Sequence, residues 1–209
     1  MARGRFISFE GGEGAGKSTQ ISLLAARLRE MGHTVVQTRE PGGTAGAEEI
    51  RQLLVTGTPD RWLPITEALL HFAARADHID RVIRPALERG DWVVSDRFVD
   101  STIAYQGYAG GVDLTHLRLL TDMVVGSTMP DLTILMDIPV EVGLARADER
   151  QGHETRYERM DIRFHETLRK AFLEIARIDS NRCVIVSAED DVATVSDAVW
   201  QAVWTRLLA

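Results

Sequence analysis

Residues 11–18 have the types and spacing needed to hold a polyphosphate. They fit the pattern G-x-x-x-x-G-K-[ST], the phosphate-binding P-loop. Glycines let backbone N–H groups curl around phosphate oxygens without a Cβ in the way. Lys17 places a positive charge against the terminal phosphates, and the Ser18 hydroxyl is a ligand for Mg²⁺. The segment therefore predicts binding of a nucleoside triphosphate together with Mg²⁺.

Two carboxylates end apolar segments that are typical of buried strands. Asp96 follows residues 92–95, and Asp137 follows residues 132–136. An acid at the carboxyl end of a strand beside a P-loop can hold Mg²⁺, directly or through water, but it can also cap the next turn. Asp96 is favoured as the metal-side acid, because Arg97 follows it and adds a phosphate-binding cation at the same edge.

The elements that must position these residues alternate between strands and helices. Short apolar segments predict strands at 5–9, 34–38, 92–96, 132–137 and 184–186. Apolar stripes at helical spacing predict helices at 19–31, 48–55, 65–88, 114–125, 140–150, 162–178 and 192–208, with Pro85 bending the last turn of the third. This order predicts an α/β fold with a five-stranded parallel sheet, helices on both faces, and ligands beyond the carboxyl ends of the strands.

Composition narrows the function classes. The 209 residues suit a single domain, and the net charge of −7 argues against a nucleic-acid partner. One cysteine, Cys183, excludes an internal disulfide and favours a reducing cytoplasm; its apolar segment predicts a buried thiol. The sequence has no apolar run near 18 residues and no signal-peptide pattern, so neither a membrane span nor export is predicted.

Taken together, the motifs resemble those of bacterial thymidylate kinases, within the P-loop nucleoside monophosphate kinases. The resemblance depends on residues 10–19, 38–44, 72–75, 96–101, 104–107, 131–137 and 143–146. These segments span most of the chain in the family's order. The resemblance implies a P-loop NTPase fold, a three-layer α/β/α arrangement with a helical lid, and transfer of the ATP γ-phosphoryl group to dTMP with Mg²⁺. It also implies a homodimer, for which Met123, Val124 and Val125 are interface candidates.

The resemblance assigns roles on the donor side. ATP would be bound by Gly11, Gly12, Glu13, Gly14, Ala15, Gly16, Lys17, Ser18, Thr19 and Arg146, the last lying against adenine beside Ser187 and Ala188. Ser18 and Asp96 would hold the metal. Glu13 would contact the sugar 3′-hydroxyl or the metal shell. With Lys17, Arg97 and Asp96, Glu13 belongs to the expected catalytic set.

On the acceptor side, the resemblance implies that dTMP is bound by Arg39, His71, Phe72, Arg75, Arg97, Thr102, Tyr105 and Gln106. Arg39 and Arg97 would bind its phosphate. Arg75 would bond a thymine carbonyl, Thr102 and Gln106 would read the thymine edge, and Tyr105 would crowd the 2′ position. The family's stacking phenylalanine lies four residues before the helix arginine; His71 occupies that position here and Phe72 the next, so either ring is a candidate.

Residues 146–159 are predicted to form a lid rich in arginine. Some thymidylate kinases carry a catalytic arginine inside the P-loop. Here the P-loop has none between Gly11 and Lys17, so the resemblance to the bacterial type implies that the arginine that stabilises the transition state comes from the lid. Arg150 is the first candidate and Arg156 the second.

Two other functions remain as alternatives. Another nucleoside monophosphate or deoxynucleoside kinase would share the P-loop, Asp96 and Arg97, but would differ at the base-reading residues. A non-catalytic nucleotide switch that binds GTP would need an Asn-Lys-x-Asp type of guanine reader. The sole asparagine is Asn181, and neither Lys17 nor Lys170 follows an asparagine, which argues against a GTP-binding switch.

Overall fold

Five parallel strands form the centre of the structure, a computed structural model that describes residues 3–58, 60–148, 156–157 and 160–209. The strands are β1 (Phe6–Glu10), β2 (Val35–Arg39), β3 (Trp92–Asp96), β4 (Leu132–Asp137) and β5 (Cys183–Ser187), in the order β2-β3-β1-β4-β5. Every neighbouring pair is parallel, as the alternating pattern predicts. Because β1 lies between β3 and β4, the P-loop that follows it opens beside Asp96.

Helices cover both faces of this sheet, which confirms the predicted α/β architecture. They are α1 (Lys17–Glu30), α2 (Ala45–Val55), α3 (Pro64–His78), α4 (Arg84–Glu88), α5 (Val99–Thr102), α6 (Leu114–Val124), α7 (Val140–Asp148), α8 (Ile162–Ile178) and α9 (Val192–Val203), with a π-helical turn at Trp204–Leu208. One apolar core joins α1 and α9 to the sheet, and a second joins α3, α4 and α6 to its other face.

The long helix predicted over residues 65–88 is interrupted before Pro85. A π-helical turn, Ile79–Ile83, separates α3 from α4. Proline has no N–H, and in a regular α-helix its ring would meet the carbonyl four residues earlier. The wider turn accommodates Pro85 while Ile79 and Ile83 stay fully buried.

A helical segment that the sequence pattern does not predict follows Arg97. It consists of α5 and a π-helical continuation, Ile103–Ala109. Polar residues interrupt the apolar stripe here: Asp100, Thr102 and Gln106 are buried. The segment is therefore held by contacts of polar side chains with other elements, which periodicity does not detect.

Cys183 is buried in β5, as predicted, and burial raises the pKa of its thiol to about 12. Within the described ranges, no helix combines the length and the apolar character that crossing a bilayer requires.

Candidate functional site

A cavity of about 360 Å³ opens at the carboxyl ends of the strands. It brings residues from both predicted halves of the site together: Glu13, Gly14, Ala15, Gly16, Lys17, Ser18, Arg39, His71, Arg75, Asp96, Arg97, Thr102, Tyr105 and Gln106. Gly11, Gly12, Thr19, Phe72 and Arg146 lie outside its wall. The predicted donor and acceptor residues therefore share one cavity, although the sequence separates them by up to 93 positions.

The P-loop backbone needs glycine where it passes close to other backbone. At Gly14 the φ angle is +69°, and a Cβ there would lie 1.8 Å from the Gly143 carbonyl oxygen. Lys17 Nζ donates to the carbonyl oxygens of Gly11, at 3.1 Å, and Gly12, at 2.9 Å. Burial, and next the charge of Arg97, lower the pKa of Lys17 to about 8. The loop thus holds its lysine in place, and a bound anion would favour the charged amine.

Ser18 and Asp96, which the sequence predicts as metal ligands, lie in contact. The Ser18 hydroxyl donates to Asp96 Oδ2 at 2.9 Å, across 78 positions of sequence. An oxygen pair of this kind suits Mg²⁺, which completes its shell with water and phosphate oxygens. The described residues contain no group of three or more His, Cys, Asp or Glu placed to hold a metal. Asp137, the other candidate, forms a two-point ion pair with Arg169 at 2.8 and 2.9 Å.

Arg97 lies at the junction of the two halves. Its Nη2 donates to Glu13 Oε1 at 2.9 Å and to the Tyr105 hydroxyl at 3.0 Å, and that hydroxyl donates to Glu13 at 2.8 Å. Burial opposes ionisation of Glu13, but the charges of Arg97 and Lys17 outweigh it and lower the pKa of Glu13 to about 2. The result is a fixed cation between the P-loop and the acceptor side.

The Arg97 backbone adopts a left-handed conformation, φ 68°, unique among non-glycine residues in the described ranges. Glu10 holds the segment that follows: its carboxylate accepts from the Phe98 N–H at 2.7 Å and from the Ser101 hydroxyl at 2.6 Å. Burial, and next the charge of Asp100, raise the pKa of Glu10 to about 8. Sequence reasoning gave Glu10 no role, although an acid that ends an apolar strand is a usable signal.

Arg75 and Gln106 each present an unsatisfied buried atom. Arg75 Nε donates to Glu40 at 2.7 Å and Nη2 donates to Thr102 Oγ1 at 3.0 Å, which leaves Nη1. Gln106 Nε2 donates to Glu67 Oε1 at 2.7 Å, which leaves Oε1. Within the described part of the chain, Nη1 and Oε1 have no partner. Buried polar atoms that lack a partner are costly, and both residues line the cavity, so a ligand that supplies an acceptor to Nη1 and a donor to Oε1 would satisfy them.

The structure separates the two candidate stacking rings. His71 lines the cavity, whereas Phe72 is 2% exposed and packs in the core. Phe72 also lies 5.0 Å from Arg75 Cζ, under the guanidinium. The expected Phe72 contact with dTMP is therefore not supported, because α3 turns that ring towards the sheet. Burial, and next the charge of Arg75, lower the pKa of His71 to about 3, so its imidazole is neutral near pH 7.

Two other predicted arginines lie at the periphery. Arg39 is on the cavity wall and pairs with Glu48 at 2.9 Å, with half of its side chain exposed. Arg146 donates to the carbonyl oxygens of Ala188, at 2.8 Å, and Glu189, at 3.1 Å. That position beside the segment after β5 matches the side on which adenine is expected. Thr19 is exposed in the first turn of α1.

Of the lid arginines, Arg150 lies outside the described residues, whereas Arg156 is described and buried. Arg156 donates to the carbonyl oxygens of Leu54 and Thr58, both at 3.0 Å, and pairs with Glu67 at 2.5 Å. These contacts hold Arg156 against α2 and α3. Sequence reasoning missed Glu67, whose signal is its position four residues before His71 on the same helical face.

Comparisons with known proteins agree with this geometry. The family model described as thymidylate kinase matches residues 9–199. A thymidylate kinase of Caulobacter vibrioides is 54% identical over 99% of this chain and 99% of its own length. One from Afipia carboxidovorans is 51% identical over 98% and 91%.

A solved structure is similar as well. The crystal structure of thymidylate kinase from Ehrlichia chaffeensis has a TM-score of 0.77 and 34% identity, and the match covers 95% of this chain and 98% of that one. Sequence and structure comparisons therefore agree over nearly the full length of the chain. The chain belongs to the thymidylate kinase family.

Proposed function

We propose that this chain transfers the γ-phosphoryl group of ATP to dTMP, forming dTDP and ADP. Family membership carries the reaction class. The assignment of one group of residues to ATP and another to dTMP is supported by their shared cavity, which is lined by both the P-loop and the residues with unpartnered atoms, Arg75 and Gln106. Kinases of this kind work chiefly by aligning donor and acceptor and neutralising charge, so a cavity with both halves is the essential requirement.

On the donor side, residues 11–19 bind the ATP phosphates, with Lys17 as the charged contact and Arg146 beside adenine. Ser18 and Asp96 would hold Mg²⁺, and their 2.9 Å contact supports that pairing. When bound with ATP, Mg²⁺ neutralises charge on the phosphate oxygens. Glu13 orients Arg97, which faces the phosphate of the acceptor together with Arg39. Arginine suits this task because its fork binds phosphate oxygens at two points and keeps its charge.

On the acceptor side, Arg75 and Gln106, which we call the base-reading pair, match the hydrogen-bonding edge of thymine. Thymine O4 accepts hydrogen bonds and its N3–H donates one, which complements Arg75 Nη1 and Gln106 Oε1 respectively. Cytosine offers an amino donor at C4 and an acceptor at N3, so both contacts would be mismatched. The neutral imidazole of His71 stacks on the base, Thr102 holds Arg75, and Tyr105 excludes a 2′-hydroxyl.

We propose the homodimer from the exposed apolar surface of α3 and α6, which pack together. Ile65 and Leu69 lie one turn apart on α3, 40% and 50% exposed, and Leu119 and Met123 do so on α6, 62% and 74% exposed. Val125 is 2% exposed in the core, so it cannot be an interface residue, and Val124 packs against the same core.

Sedimentation should give twice the 23.2 kDa chain mass; a 23.2 kDa species at micromolar concentration would contradict the dimer.

We further propose that residues 1–209 form one catalytic domain in which residues 146–159 serve as the lid. A cytoplasmic location is proposed from the buried, unbridged thiol of Cys183, which suits a reducing compartment.

A phosphoryl-transfer assay tests the function directly. With ATP and Mg²⁺, we expect kcat/KM for dTMP to exceed that for dCMP by at least about 10³-fold, because a site built to hydrogen-bond one edge rejects the mismatched edge strongly. The panel includes dUMP, dGMP and thymidine, and chelation of Mg²⁺ should abolish turnover. Preference for another acceptor would support the rival kinase function. Tight nucleotide binding without turnover would support the switch.

A further inference from the structure

Glu67 connects the base-reading pair to the segment that carries Arg156. Its side chain is 10% exposed on α3. Oε1 accepts from Gln106 Nε2 at 2.7 Å and from the Tyr157 hydroxyl at 3.0 Å, and Oε2 pairs with Arg156 at 2.5 Å. Glu67 does not line the cavity. Glu67 therefore acts on a bound base through the residues it contacts on the cavity wall, Gln106 and Tyr157, and of these Gln106 carries the amide whose direction matters.

The contact between Glu67 and Gln106 decides which way the Gln106 amide faces. An amide has a donor end and an acceptor end of nearly the same shape, so its hydrogen-bond partners set its orientation. Glu67 is ion-paired with Arg156, and a carboxylate only accepts hydrogen bonds. The NH₂ group of Gln106 must then face Glu67, and its oxygen is left for the ligand.

We propose that Glu67 is a positioning residue that sets base specificity by holding the Gln106 amide with its oxygen towards the bound base. The inference rests on the proposed function, since it assumes that Gln106 reads the pyrimidine edge. An oxygen there accepts from N3–H of thymine or uracil. A flipped amide would instead present a donor, which suits the unprotonated N3 of cytosine.

Arg156 determines which end of a new amide at position 67 would face Gln106. In Glu67→Gln the new amide has one acceptor end, and the guanidinium of Arg156 requires an acceptor. The NH₂ group of the new side chain would then face Gln106, which turns the Gln106 oxygen inwards and its NH₂ group to the base. The variant is nearly isosteric, so it changes the hydrogen-bond polarity while conserving side-chain volume.

The experiment measures kcat/KM of Glu67→Gln for dTMP, dUMP and dCMP. We expect the ratio of kcat/KM for dTMP to that for dCMP to fall at least about tenfold below the ratio of the unaltered protein. The kcat/KM values for dTMP and dUMP should fall together, and the value for dCMP should rise. A purely structural role would lower all three by the same factor and leave the ratio unchanged, which would overturn the proposal.

A double variant that restores the hydrogen bond with exchanged side chains provides a second test if Glu67→Gln does not fold. In Glu67→Gln with Gln106→Glu, the new amide at position 67 donates to a carboxylate at position 106, which presents only acceptors to the base. The dTMP preference should return towards its original value, and failure to return in a folded double variant would overturn the proposal. Thermal unfolding establishes that each variant is folded.

Two single variants separate the possible causes. Arg156→Lys keeps a cation against Glu67, so Glu67 stays a carboxylate and the dTMP-to-dCMP ratio should stay within about threefold; a drop equal to that of Glu67→Gln would overturn the role of Glu67. The exposed Glu49→Gln is the matched surface control. If the unaltered protein itself shows no preference for dTMP, the proposed function fails, and that outcome is distinct from an unchanged ratio in Glu67→Gln.

Discussion

Replacing Lys17 by methionine is expected to lower kcat/KM for phosphoryl transfer from ATP to dTMP by about 10³-fold or more, since one preorganised charge contact at the reacting group contributes on that scale. Methionine conserves much of the side-chain length but removes the charge. The Gly11 and Gly12 carbonyl oxygens that hold Nζ at 3.1 and 2.9 Å would lose their donor. The loss should fall largely on kcat, because charge develops on the transferring group in the transition state.

The chain supplies an internal control, since its one other lysine is Lys170. Lys170 is exposed on α8, outside the cavity. Lys170→Met makes the same chemical change and should leave kcat and KM within about twofold, as expected for a surface substitution. Near-equal activities of the two variants would contradict the role of Lys17.

The lowered pKa of Lys17, about 8, adds a pH signature. Below pH 8 the amine is charged and ready for phosphate. Above pH 8 the ligand-free enzyme must take up a proton to bind ATP, so KM for ATP should rise as pH increases, by up to about tenfold per unit. This inflection should disappear in Lys17→Met. A pH-independent KM in the unaltered protein between pH 7 and 9.5 would contradict it.

Replacing Arg150 by alanine is expected to lower kcat by about 10³- to 10⁵-fold, the contribution of an arginine that stabilises the transition state of phosphoryl transfer. The assignment follows the resemblance to the bacterial enzymes, which implies a lid arginine where the P-loop has none. The P-loop has none between Gly11 and Lys17. Arg97 bonds to Glu13 and Tyr105 and is assigned to the acceptor phosphate, and Arg156 bonds to Glu67 and the end of α2. Arg150 itself lies outside the described residues.

Steady-state kinetics with saturating ATP and dTMP measures this effect. Arg163→Ala, an exposed arginine on α8, is the matched control and should change kcat by less than about twofold. Arg156→Ala should destabilise the fold, because it leaves the Glu67 carboxylate buried without its ion pair. A change in Arg150→Ala confined to KM would assign Arg150 to substrate binding instead.

Much of the site could be predicted from local patterns. Residues 11–18 could be predicted to form a tight loop with the P-loop pattern, because glycine positions, a lysine and a hydroxyl at fixed spacing follow a strand and begin a helix. Asp96 and Arg97 had to reach the same edge, because parallel strands bring their carboxyl ends together. Phe9 and Asp96 are in fact paired in register. These inferences need only short-range spacing and the sheet rule.

The remaining assignments depend on contacts between residues far apart in sequence. His71 and Phe72 are both within one turn of Arg75, so helical spacing left either ring facing the ligand; packing of Phe72 into the core places His71 on the cavity wall. Likewise, no pattern predicts that Glu67 would meet Gln106, 39 positions away, or that Glu10 would meet Ser101, 91 positions away. Residue spacing could specify the phosphate-binding chemistry because it is built into one loop. The proposed base recognition could be inferred only from the assembled fold, because its donors and acceptors acquire direction from partners on other elements.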